Sequence, residues 1–173
     1  VGYIPMFENS EFARILGIPP AEHACDALAQ RITEKIDLGK INGTYFLSKA
    51  QILQGHIAIQ TLEGYTIEPT EVQQEISVFN LAFNTLGAQR SVYSPTDGFL
   101  EAAFAPIERT VKRVFQKPIF QRPSVFQLRK LKIEGAPDEV AIKIDNQGVV
   151  KTPATIEVVP QKLKIIVGKE RMF

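Results

Sequence analysis

Lys35-Ile36-Asp37-Leu38-Gly39-Lys40-Ile41-Asn42-Gly43-Thr44-Tyr45-Phe46 reads as a β-hairpin. Asn42-Gly43 is a dipeptide that tolerates the two positive φ angles of a tight hairpin turn, and it separates two segments rich in Ile, Leu, Tyr and Phe. The chain keeps this texture from Lys35 onward, as short β-rich segments broken by turns. Candidate strands cover 35–41, 44–52, 56–62, 71–83, 99–106, 125–135, 140–145, 155–158 and 162–167. Glu63-Gly64, Asp97-Gly98 and Asn146-Gln147-Gly148 read as turns, and Ala136-Pro137-Asp138 and Thr152-Pro153 force bends. Strand centres about 8–14 residues apart predict an antiparallel sandwich or barrel. Pro160 falls inside the last apolar run, which predicts two short strands or a bulged edge strand rather than one long strand. The segment 108–115 fits a short helix or a polar strand equally well.

Upstream of the hairpin the pattern is helical. Phe12, Ile15 and Leu16 recur at i, i+3 and i+4, and Gly17-Ile18-Pro19-Pro20 stops that turn. A second helix is expected over 21–32, with Ala24, Leu28 and Ile32 on one face and Pro20 at its tolerated first turn. Val1-Gly2-Tyr3-Ile4-Pro5 reads as a buried strand. The expected fold class is therefore mainly β (α+β), an antiparallel β-sandwich preceded by a short N-terminal helical segment.

Composition bounds the function. With 173 residues, 45% hydrophobic and 23% charged, the chain has the balance of an ordinary globular protein. Twenty Lys+Arg against nineteen Asp+Glu give a net charge of +1, so no broad cationic face for nucleic acid is expected. No apolar run approaches the roughly 20 residues that cross a bilayer as a helix, and no secretory signal opens the sequence. The single cysteine, Cys25, has no internal partner and fits a reducing, cytoplasmic setting.

Few residues point to chemistry by themselves. His23, Cys25 and Asp26 would point to different faces of a helix, and no second His/Cys pair completes a zinc site. They read as a surface histidine and a buried cysteine. His56 stands alone, and no Ser-His-Asp or Cys-His motif is present. Asn42-Gly43-Thr44 matches a glycosylation acceptor but reads as the hairpin turn. The run from Arg109 to Arg129 carries Lys112, Arg113, Lys117 and Arg122 among apolar residues. It reads first as a solvated face, and second as a cationic rim for phosphates or anionic headgroups. Asp97 and Asp145 lie in predicted turns, where an aspartate commonly bonds nearby backbone.

Four motifs in order carry a resemblance. Ile4-Pro5-Met6 with Glu11-Phe12-Ala13-Arg14-Ile15-Leu16-Gly17-Ile18-Pro19 resembles I-P-x-G-T-x-N-D-F-A-R-x-L-G-I-P of the diacylglycerol kinase and sphingosine kinase family of lipid kinases. Lys35 to Gly43 followed by Tyr45-Phe46-Leu47 is similar to its I-D-L-G-x-V-N-G-x-x-F-L. Pro95-Thr96-Asp97-Gly98-Phe99-Leu100-Glu101 resembles D-D-G-x-L-D. Ile144-Asp145-Asn146-Gln147 and Thr152-Pro153-Ala154-Thr155-Ile156-Glu157-Val158-Val159-Pro160 resemble the closing D-G-E and T-P-x-x-I-x-V-x-P.

The resemblance implies a two-domain parent, in which an α/β domain with G-G-D-G-T holds nucleotide phosphates and a C-terminal β-sandwich covers the cleft and helps bind lipid. G-G-D-G-T occurs nowhere in this chain. The expected organisation is a remnant of the nucleotide-domain edge with two short helices over 1–34, then the sandwich over 35–173. Asp145 is the implied general base on the lipid hydroxyl, Asp97 the implied magnesium-linked residue, and Asn9, Ser10 and Glu11 the implied cofactor-side residues. ATP and Mg are cofactors of the intact family, and none is expected for this chain alone. The implied partners are a lipid and either the missing nucleotide-binding domain or a second copy covering exposed apolar surface.

Departures from the motifs bear on activity. Phe7 and Glu8 stand where the family has Gly-Thr, Thr96 replaces an acidic residue, and Gln147 replaces a carboxylate that can ionise. Three readings follow: the lipid-side part of a lipid kinase, inactive as this chain; a non-catalytic binding or interaction module descended from it; or a small extracellular-type carbohydrate or scaffold sandwich, since 132–168 alone resembles short β-repeat modules with a T-P turn, against which the Phe12-Ala13-Arg14 match argues.

Overall fold

The computed structural model describes residues 1–7, 10–20, 22–52, 56–62, 64–67, 74–84, 91–106, 124–135, 137–145 and 148–173. Two short helices come first, α1 (Glu11–Leu16) and α2 (His23–Ala29). The Ser10 Oγ accepts a hydrogen bond from the Ala13 N–H at the start of α1. Gly17, at φ 67°, ends it with a paired cap: the Ile18 N–H donates to the Ala13 carbonyl and the Gly17 N–H to that of Arg14. The second helix is shorter than the apolar spacing predicts. Arg31 turns to φ 52°, and Ile32 leads into the first strand instead of extending the helix face.

The strands are β1 (Thr33–Ile41), β2 (Thr44–Phe46), β3 (Lys49–Ile52), β4 (Ile57–Thr61), β5 (Thr66–Ile67), β6 (Gln74–Phe79) and β7 (Phe83–Asn84), followed by β8 (Ser91–Val92), β9 (Leu100–Pro106), β10 (Ser124–Leu128), β11 (Lys130–Gly135), β12 (Ala141–Ile144), β13 (Gly148–Lys151) and β14 (Ala154–Ile166). Among the described residues they form two six-stranded antiparallel sheets, β2-β1-β14-β11-β4-β5 and β10-β9-β6-β3-β12-β13, plus the ribbon β7-β8. The mainly β sandwich expected from sequence is the observed class.

The main core lies between the two sheets. Ile41, Ile59, Leu131 and Ile156 of the first sheet face Ile52, Val78, Leu100 and Ile142 of the second. A second apolar cluster lies at the helical end, where Ile15, Leu16 and Ala24 pack with Ile36, Leu81, Ile165 and Val167. The strands β1 and β14 contribute to both.

The hairpin closes at Asn42 (φ 44°) and Gly43 (φ 93°) as its sequence demands. Its Gly39 is paired with Phe46, whose ring covers the glycine so closely that a Cβ there would clash with the ring. Three expectations change. The span 154–166 is one interior strand, β14, and not two short or edge strands. Pro160 costs no ladder bond, because β11 pairs β14 only as far as Glu157 and on the other side β14 bulges away from β1: 160–162 face the single residue Asp37. Val1 bonds β14 through both its backbone groups, yet Val1 and Ile4 are exposed rather than buried. Cys25 is exposed as well. The segment 108–115 lies outside the described residues.

Candidate functional site

The motif residues meet along a polar seam at one end of the sandwich. Asp145 follows β12 at φ 45°, and its carboxylate accepts three backbone N–H groups: Leu47 at 2.7 Å on Oδ2, with Ser48 and Lys49 at 2.9 Å on Oδ1. This clamp explains why 44–52 breaks into two strands: 47–48 turn their amides toward the carboxylate instead of a neighbouring strand.

The next member is Asn80, fully buried after β6. Its Nδ2 donates to the carbonyls of Leu47 (2.8 Å) and Asp37 (3.0 Å), and its N–H to that of Ser48 (2.9 Å). Its Oδ1 has no partner among the described residues. Asp37 is 1% exposed. Its carboxylate accepts the Gly98 N–H at 2.8 Å and the Gln161 N–H at 2.7 Å, and its own N–H donates to the Pro95 carbonyl. A buried carboxylate held by backbone donors fixes the chain segments that supply them. Here those are the loop 95–98 and the bulge of β14.

Asp97 rides on that loop, exposed, with Oδ1 accepting the Phe99 N–H at 3.0 Å. Farther along, Glu101 on β9 is 4% exposed. Among the described residues one carboxylate oxygen has a long bond from Gln127 Nε2 (3.4 Å) and the other has no partner. Burial, reinforced by the Asp97 charge, pushes its carboxyl up to about 7. Burial, with the charge of Glu101, also raises Tyr93, which stacks on Phe79 at 5.1 Å.

Other predicted residues lie at the helical end. Ser10 caps α1 and shares a hydrogen bond with the Tyr3 hydroxyl (2.9 Å), and Glu11 Oε1 accepts the Phe83 N–H (3.1 Å). Asn9, Glu8, Asn146 and Gln147 lie outside the described residues, as do Lys112, Arg113, Lys117 and Arg122 of the basic run. Arg129 is described, and its guanidinium lies 4.8 Å over the Phe99 ring. The structure thus links Asp145 to the Asp97 loop through Asn80 and Asp37, and leaves Ser10 and Glu11 at α1. Asp37, Asn80 and Glu101 were not picked out from sequence. Asp37 and Glu101 had a signal, a charge inside an apolar strand pattern; Asn80 had none.

No protein-family model matches the chain. The diacylglycerol kinase of Bacillus subtilis (strain 168) is 38% identical over 97 residues, covering 43% of this chain and 32% of that protein. A crystal structure of a diacylglycerol kinase from Bacillus anthracis str. Sterne superposes with a TM-score of 0.74 at 18% identity, over 97% of this chain and 66% of the other. The chain is similar to these diacylglycerol kinases in sequence over that segment and in fold over nearly its whole length. It corresponds to the C-terminal part of these relatives and spans about a third of the curated one. The same fold extends to an NAD kinase from Archaeoglobus fulgidus in complex with ATP, at a TM-score of 0.50 and 15% identity over 86% of this chain and 60% of that one.

The cofactors implied by the resemblance find little in this chain. No three His, Cys, Asp or Glu side chains converge as metal ligands among the described residues, and Asp97 points one oxygen at its own loop. The Ser10 hydroxyl is already engaged by the helix and by Tyr3. These residues do not fit a magnesium–nucleotide complex by themselves.

Proposed function

We propose that this chain is the lipid-side part of a diacylglycerol-kinase-like enzyme, in which ATP-dependent phosphorylation of a lipid hydroxyl requires a nucleotide-binding part as well. The observation that carries the reading is the 38% identity to the Bacillus subtilis diacylglycerol kinase over a segment that makes up only 32% of that protein. Phosphoryl transfer depends on backbone and metal positioning of the nucleotide phosphates, and G-G-D-G-T is absent from this sequence.

In this reading the seam is a frame. Asp145 enters as a positioning residue, because three backbone N–H groups occupy most of the acceptor sites of its carboxylate. The general-base role implied by the resemblance would have to use the acceptor site still open on Oδ2, which has one partner.

The test is reconstitution. The chain is joined or mixed with the nucleotide-binding part of a diacylglycerol kinase relative and assayed with ATP, Mg²⁺ and diacylglycerol in mixed micelles. The expected outcome is phosphorylation by the pair, with neither phosphorylation nor ATP-dependent thermal stabilisation for the chain alone. Turnover by the chain alone would refute the requirement for a second part. In the active pair, Asp145→Asn separates the two roles. A positioning residue lowers the melting temperature and keeps the acidic limb of the pH–rate profile, whereas a base loses that limb together with a factor of about 10²–10⁴ in turnover.

A second reading, a non-catalytic binding module, draws on Ser10 and Glu11 being engaged within the fold and on the exchange of the ionisable D-G-E position for Gln147. An inactive pair that still binds diacylglycerol micelles would favour it.

A further inference from the structure

Each of the two six-stranded sheets has two edge strands, and among the described residues three of these four edges are guarded against further pairing. In the first sheet β2 has three residues and β5 two, and the exposed Tyr45 ring of β2 faces the Lys162 ammonium at 5.6 Å. In the second sheet β13 has four residues, starts at Gly148 and ends at Lys151, which is bonded to Glu139 at 3.0 Å. The edge β10 has none of these devices. Its five residues, Ser124-Val125-Phe126-Gln127-Leu128, include no charge, glycine or proline, and only Leu128 is buried. An uncharged edge segment of β-branched and aromatic residues is a ready template for another strand.

The register places apolar side chains on both faces of this edge. Phe126 lies opposite Ala102, on the core side. Its ring meets Phe104 edge-to-face at 5.7 Å, yet the residue stays 45% exposed. Val125 lies opposite Ala103 on the outer side and is 41% exposed. Gln127, on that same side, turns back to Glu101. Among the described residues β10 pairs β9 alone, so the backbone groups on its far side have no strand partner.

We propose that β10 is a self-association edge, pairing antiparallel with β10 of a second copy of this chain about a two-fold axis at Phe126. The strand is complementary to itself in the way such an axis requires. Phe126 opposes the partner's Phe126, Val125 opposes the partner's Gln127, and Ser124 opposes the partner's Leu128, so no like charges meet across the pair. The second strand covers the open sides of Phe126 and Val125 and supplies partners for the free backbone groups. Two five-residue strands bury less than the roughly 1,200 Å² of a stable complex, so association is weak and reversible. The inference stands on the sheet edge and does not rest on the proposed kinase activity.

The chain as it stands is followed by sedimentation equilibrium from about 10 µM to 1 mM, the range of weak association, with amide hydrogen exchange at both ends. The expected result is a monomer–dimer equilibrium in which amides within 124–128 exchange more slowly at the higher concentration and those of β13 do not change. Phe126→Lys and Phe126→Glu each place like charges face to face at the axis. Each alone should be monomeric throughout, and an equimolar mixture of the two should dimerise again. Thermal unfolding establishes that each variant is folded. Where either is not, Val125→Lys carries the test, since it lies on the outer side and sets two ammonium groups diagonally across the axis. A folded monomer then upholds the proposal and a persistent dimer overturns it. A parent that stays monomeric over the whole range overturns it too. So does a dimer whose 124–128 amides exchange as in the monomer, a dimer of folded Phe126→Lys alone, or a mixture of the two folded variants that stays monomeric.

Discussion

Asp37, Asn80 and Asp145 show how single polar side chains can set the backbone path at one end of a sandwich. Each accepts from, or donates to, main-chain groups that the sheets leave over, so the turn at 47–48, the loop 95–98 and the bulge of β14 are satisfied without strand partners. Glu101 is the contrary case, a buried carboxyl with one empty oxygen. Its folded value of about 7 lies above the ordinary 4.5. The stability it contributes is therefore fully present below pH 4.5, where both states are protonated, and is lost as pH rises through about 7. The difference corresponds to about 3 kcal/mol at most. Glu101→Gln, which mimics the protonated acid, should be more stable than the parent at pH 8 and equal to it near pH 4. Urea unfolding at both values measures this, and an unchanged pH slope in the variant would exclude Glu101 as its source. Of these four residues only Asp145 was singled out from sequence for a role, because whether a strand carboxylate faces a cluster of amides depends on segments up to 124 residues away, as Asp37 and Gln161 show.

At the scale of elements, the hairpin was fully legible. Asn42-Gly43 encodes its turn locally, and alternation assigns its faces. The pairing of Gly39 with Phe46 adds what alternation does not, a reason for glycine within a strand. Gly39→Ala would drive its methyl into the ring of Phe46, which is among the largest fully buried side chains. We expect a loss of about 1–3 kcal/mol, typical of an overpacked core, read as a lower urea midpoint with an unchanged slope; an unaltered midpoint would mean that the ring moves aside freely. β14 was misread for a related reason. A proline is incompatible with an interior strand only where its N–H is needed, and that depends on how far β11 extends and where β14 bulges away from β1. Neither fact is written near Pro160.

For the whole molecule, the open matter is whether 1–34 and 35–173 are separate units. β1 places Ile36 in the helical cluster and Ile41 in the sandwich core, and β14 does the same with Ile165 and Ile156. The C-terminal residues also return to α1, where the Met172 N–H donates to the Ile15 carbonyl and Gly168 lies against Gly17. Two clusters sharing two paired strands should melt together. Ile15→Ala and Ile133→Ala, one in each cluster, should each lower a single transition seen identically by far-ultraviolet dichroism and tyrosine fluorescence. Two transitions, only one of them moved by each variant, would favour a boundary at 34/35.

Some of this protein was determined by the sequence alone: the class, the helical segment at the start and the Asn42-Gly43 turn. These are properties of neighbouring residues or of period-two patterns, carried by local sterics and by alternation. The seam from Asp145 through Asn80 and Asp37 and the continuous β14 were decided by the tertiary structure. Each joins residues far apart in the chain, and hydrogen-bond satisfaction exists only once the folded sheets bring those residues within a few ångströms.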